Sequence, residues 1–97
     1  MATTEDQTPR FLVEWYGPKA KTDFIGETAG RLTDSTAATS AGGAQIRLLM
    51  ALAVPADDYA FGVFAAESAE TVAQVCVAAS APAGRISAAV GWPQCPH

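Results

Sequence analysis

At 97 residues, about half of them hydrophobic, the chain suits one compact domain of the usual roughly 50 to 250 residues and leaves no room for a second. A net charge of −4 with Lys19, Lys21, Arg31, Arg47 and Arg85 scattered along the chain excludes the clustered cations on which nucleic-acid binding depends. There is no basic and apolar leader and no apolar run near the roughly 20 residues that cross a bilayer, so a cytoplasmic protein without membrane contact is expected, its two cysteines reduced rather than part of a disulfide framework.

Met1 to Thr8 is polar and aperiodic and reads as a mobile arm (1–8) before a single domain at 9–92; a short tail, 93–97, follows. Arg10 to Tyr16 reads as the first strand, with Phe11, Val13 and Trp15 on one side and Leu12, Glu14 and Tyr16 on the other. Glu14 lies among aromatics in mid-strand. Because an unpaired buried charge costs on the order of several kcal/mol, it must sit at a solvated edge or face a pocket.

Gly17 and Pro18 turn the chain, and Thr22 or Asp23 can cap a first helix that runs to about Ala41. Phe24, Ile25, Thr28, Leu32 and Thr36 form its weakly apolar face. Gly26 and Gly30, one turn apart, would let a neighbour or ligand approach or are simply tolerated at about 1 kcal/mol each. Gly42 and Gly43 end the helix.

Ala44 to Val54 is the longest strand candidate. Simple alternation puts Ile46, Leu48, Met50, Leu52 and Val54 on one face and Arg47, Leu49, Ala51 and Ala53 on the other, so neither face is polar beyond Arg47. If helices cover one face, the other needs a second subunit, a ligand or both. Pro55, Ala56, Asp57 and Asp58 form a tight turn that returns the chain as a hairpin.

Tyr59 to Phe64 alternates like a central strand. Ser68 caps a second helix, with Glu67 and Glu70 near its N-terminus and Val72, Val75, Cys76 and Ala79 on its apolar side. Pro82 and Gly84 end that helix, and Ile86, Ala88 and Val90 restart a two-residue period before Gly91 and Pro93. The order strand, helix, strand, strand, helix, strand, joined by right-handed crossovers, predicts an α+β, ferredoxin-like βαββαβ domain. Its four-stranded antiparallel sheet would carry both helices on one face. Ala51 and Ala53 would lie beneath the helices, and Leu48, Met50 and Leu52 on the open face would meet a second copy in a dimeric α+β barrel with an apolar cavity between the sheets.

Arg10 to Glu14 (RFLVE), the hairpin closing on Phe61 to Phe64, Glu67 to Val72 (ESAETV) and Pro82 to Val90 (PAGRISAAV) together resemble a small ferredoxin-like family, mostly of unknown function, that includes nickel-binding bacterial proteins. The resemblance spans nearly the whole chain and implies a fold similar to the dimeric α+β barrels. It also implies metal-binding His on the strands and the second helix, where this chain has Trp15, Met50 and Val75 or Cys76. Glu14, Met50 and Cys76 are the ligands that would remain, a poor set for nickel or zinc.

Cys76 and Met50 could make a soft site for Cu(I), although on apolar faces both serve as packing residues. Cys95 and His97 could chelate at the tail, and Trp15 and Trp92 could line a cavity or stack on a planar ligand. No cofactor is identifiable. The leading expectation is a homodimeric binding protein that holds a small apolar or aromatic ligand, or only its partner subunit, against Glu14, Tyr16, Trp15, Leu48, Met50 and Leu52. The alternatives are an enzyme resembling the cofactor-independent monooxygenases, with Glu14, Tyr16 and Trp15 in its pocket, and a nickel-type metal binder with altered ligands. Fold alone decides none of these.

Overall fold

The computed structural model describes residues 8–17 and 24–90, without the side chains of Phe24 and Ile25. Most of the expected arm, the expected first-helix caps Thr22 and Asp23, Trp92, and the tail with Cys95 and His97 lie outside the described residues.

Four strands, β1 (Arg10–Tyr16), β2 (Ile46–Val54), β3 (Tyr59–Ala66) and β4 (Arg85–Ala89), and two helices, α1 (Ala29–Ala41) and α2 (Ala69–Ala78), follow in the order βαββαβ. The sheet order is β2-β3-β1-β4, and every neighbouring pair is antiparallel. The fold is ferredoxin-like α+β: each helix links two strands that lie on either side of a third, and β1 and β3 occupy the centre.

One face of the sheet is buried beneath the helices. Val13 and Trp15 from β1, Ile46 from β2, and Ala60, Phe64 and Ala66 from β3 pack there against Leu32 of α1 and Val72, Val75 and Cys76 of α2. The Trp15 indole donates to the Ala81 carbonyl at 2.9 Å, so its one polar group is satisfied within the core.

α2 begins as its sequence dictates. Ser68 is extended, and its Oγ accepts from the Thr71 amide at 3.2 Å. At the other end Ser80 takes a positive φ of 60°, the Ala81 amide closes on the Cys76 carbonyl, and Pro82 follows. Arg31 of α1 donates from Nε to the Ala79 carbonyl at 2.9 Å, placing a cation at the negative end of α2.

α1 is entered through a π-helical turn, Phe24–Thr28, and Thr28 makes no side-chain cap. Only Leu32 and Thr36 of α1 are buried. A Cβ at Gly26 or Gly30 would meet nothing within 4 Å, so among the described residues neither glycine serves a close contact. Gly43, at φ 111°, occupies the left-handed turn that releases the chain into β2.

The strict alternation expected along β2 is interrupted. Leu48 stands opposite Phe64 and Met50 opposite Val63, so Leu49 is an extra residue without a partner on β3. This β-bulge reverses the facing of everything beyond it. Ile46 and Leu48 before the bulge, and Ala51 and Ala53 after it, pack on the helix side. Leu48 therefore does not share the open face with Met50 and Leu52, which corrects the expectation from simple alternation.

Candidate functional site

The sheet face away from the helices is laid out by register. Its rows are Val54, Tyr59 and Tyr16; then Leu52, Phe61, Glu14 and Arg85; then Met50, Val63, Leu12 and Ser87; then Arg47, Ala65, Arg10 and Ala89. The middle of this face is apolar, and Met50 and Leu52 are each 46% exposed.

Glu14 is the polar centre of one end. Its position on β1, directly opposite Phe61 on one side and Arg85 on the other, brings it between two tyrosines. Tyr16, two residues along the same strand face, donates its phenol to Oε1 at 2.6 Å, and Tyr59 of β3 donates to Oε2 at 2.8 Å. Each carboxylate oxygen thus receives one strong, charge-assisted hydrogen bond.

The electrostatics follow from that pairing. The Tyr16 and Tyr59 phenols, and more weakly the Arg85 charge, hold the Glu14 carboxyl below its ordinary value, against the opposing effect of desolvation. Desolvation and the bond to Glu14 push the Tyr59 phenol up to about 12. The same carboxylate raises Tyr16. Glu14 is consequently an anion at neutral pH and a weak base, less suited to abstracting a proton than an unpaired carboxylate.

The rings form a continuous ribbon. Tyr16 and Tyr59 have centroids 5.7 Å apart, and Tyr59 and Phe61 5.9 Å apart, each pair tilted. Tyr16 is held against Gly84, where a Cβ would come within 2.9 Å of its ring. The Gly84 amide donates to the Glu14 carbonyl at 2.8 Å. Only a residue without a side chain allows the backbone and the ring to approach so closely.

Of the residues expected to line a pocket, Glu14, Tyr16, Met50 and Leu52 share the open face. Trp15 and Leu48 do not; both lie on the helix side, where a Cβ at Gly62 would be 3.4 Å from each side chain. Trp15 is a core residue, not a pocket residue, because alternation along β1 turns it away from Glu14 and Tyr16. Tyr59, Phe61 and Arg85 belong to the site and were not among the expected residues. The turn at Pro55–Asp57 and the left-handed Asp58 start β3 at Tyr59. It is the β1–β3 and β1–β4 registers, between strands far apart in sequence, that set Tyr59, Phe61 and Arg85 around Glu14, and these carry no local sequence signal.

The candidate metal ligands are not brought together. Cys76 is fully buried under the helix side of the sheet, while Met50 and Glu14 lie on the opposite face. Burial pushes the Cys76 thiol up to about 11, which disfavours the thiolate that a metal would bind. Among the described residues, no group of three His, Cys, Asp or Glu could hold a metal ion. The donors described do not fit nickel or Cu(I).

Among the described residues, concavities lie elsewhere. A cleft of about 460 Å³ between Thr8, Ser40, Gln45 and Arg47 opens at the far end of the sheet, and a groove of about 430 Å³ runs beside Val77 on α2. Neither includes Glu14. No family model, curated protein or solved structure matches the chain. Among the described residues, no helix is long and apolar enough to cross a membrane.

Proposed function

We propose that this chain is a small binding module that pairs with a second copy through the open sheet face and holds a small apolar or aromatic ligand between the two faces. The observation that carries this reading is the half-covered sheet. Both helices lie on one side, while Leu12, Met50, Leu52, Phe61 and Val63 fill the centre of the other. Covering such a surface is favourable by roughly 25 cal/mol for each Å² of apolar area removed from water.

The charges support a copy of the same chain as the cover. Arg10 and Arg47 share the row at one end of the face, and Glu14 lies towards the other, beyond which Asp57 and Asp58 are exposed in the hairpin turn. A two-fold partner laid with its strands antiparallel would set each basic end near an acidic one, the self-complementary pattern of an isologous interface. Arg85 at the β4 edge and Glu67 beyond β3 moderate this polarity without cancelling it. A cytoplasmic setting accords with the free, buried thiol of Cys76.

An enzyme of the cofactor-independent monooxygenase type competes with this reading, but the two phenols bonded to Glu14 weaken it as a base. The test is light scattering of untagged protein with Leu52→Glu, and with Val77→Glu on the exposed side of α2 as a control. The proposal expects a dimer for the parent and the Val77 variant and a monomer for Leu52→Glu. A parent that stays monomeric at high micromolar concentration contradicts it.

A further inference from the structure

The hydrogen bonds of the Glu14 cluster indicate which polar group the open face would accept. Tyr16 and Tyr59 each direct their one phenolic hydrogen inward to Glu14. A phenol has one hydrogen and an ionised carboxylate none, so the three side chains offer a ligand only lone pairs and aromatic faces. The faces of those rings, and of Phe61 beside them, carry the negative lobe of the aromatic quadrupole and attract cations. Arg85, directly opposite Glu14 on the edge strand β4, is the competing cation; its side chain is exposed to solvent, and its charge acts on Glu14 more weakly than the two phenols do.

We propose that the open face binds an organic ammonium compound, with the cationic head against Glu14 and the Tyr16 and Tyr59 rings and the apolar body along Phe61 and Leu52. The inference rests on the reading that this face takes a small ligand and specifies the chemistry of that ligand. An anion of the same shape would meet a carboxylate and three electron-rich rings, with only the exposed Arg85 to attract it. A neutral ligand would gain the apolar contact alone.

Three probes of similar size separate these cases: benzyltrimethylammonium, benzyl alcohol and benzoate, titrated into untagged protein while the Tyr16, Tyr59 and Phe61 ring resonances are followed by NMR. The expected result is about tenfold tighter binding of the ammonium probe than of the alcohol, with benzoate weakest. Glu14→Gln should remove most of that preference, and Arg85→Gln, on an exposed edge, should tighten the ammonium probe. Equal binding of ammonium and alcohol would overturn the cation inference while leaving a ligand-binding face. Tightest binding of benzoate would overturn it in favour of Arg85. No perturbation by any probe would overturn the ligand reading itself.

Discussion

Tyr59 on β3 donates its phenolic hydrogen to Oε2 of Glu14 on β1 at 2.8 Å, a diagonal contact, since the residue directly opposite Glu14 is Phe61. This contact, 45 residues long in sequence, joins the two central strands on the face away from α1 and α2. It makes the acid and alkaline behaviour of the protein report on the open face.

In alkali the folded Tyr59 phenol titrates near about 12 against an ordinary value of 10.0. A raised folded value means that the associated stability is complete below about pH 10 and is lost as pH rises towards about 12. Tyrosinate absorbance should show a late-titrating phenol that moves to lower pH in Glu14→Gln. It should not return fully to the ordinary value, because desolvation, the larger cause, persists. In acid the sign is opposite: the depressed Glu14 value gives stability present above its ordinary 4.5 and lost as pH falls through the folded value. Tyr16→Phe with Tyr59→Phe should flatten that acid dependence in denaturant titrations.

The bulge gives a prediction about chain length. Removing Leu49 would leave Leu48 opposite Phe64 and Met50 opposite Val63 in an uninterrupted ladder, with every other β2 side chain on its present face. Removing Ala51 would instead turn Leu52 towards the helices and Ala53 outward. Thermal melts should find the Leu49 deletion folded and the Ala51 deletion severely destabilised. Equal damage from both would mean that the bulge is not a simple insertion.

Gly84 is expected to resist substitution. Its Cβ position is 2.9 Å from the Tyr16 ring and 3.1 Å from the Glu14 carbonyl, so Gly84→Ala must displace either the ring or the β1–β4 pairing. A loss of about 1 to 3 kcal/mol is expected, as for other overpacked sites. The loss should be smaller in a Tyr16→Ala background, where only the carbonyl contact remains.

The Cys76 thiol, buried and raised to about 11, should be inert to thiol reagents at neutral pH. In a Cys95→Ala background, labelling should be negligible until denaturant is added. Prompt labelling of the folded protein would show that the α2 side of the core opens far more readily than its packing implies.

The element order was legible because periodicity changes clearly along the chain: Tyr59, Phe61 and Val63 alternate, whereas Val72, Val75, Cys76 and Ala79 recur at helical spacing. The Ser68 cap was legible for the same local reason. The site was legible only in part. Glu14 and Tyr16 lie two residues apart on one strand and could be grouped by sight, but Tyr59 joins them through the register of β1 against β3, a pairing of strands far apart in sequence that no local pattern marks. Grouping Trp15 with Glu14 ran against the alternation of β1 itself. Leu48 was misplaced because nothing in the run Ile46 to Val54 marks where the ladder slips: Leu48, Leu49 and Met50 are all apolar, so the pattern reads equally well on either face.

The central claim is that the open face takes a second copy with a small ligand between the sheets. Native mass spectrometry of untagged protein tests it most directly, because one spectrum gives both subunit number and retained mass. The predicted result is a dimer carrying a small organic compound that is lost together with the dimer in Leu52→Glu. A bare monomer at the same concentration would contradict the account.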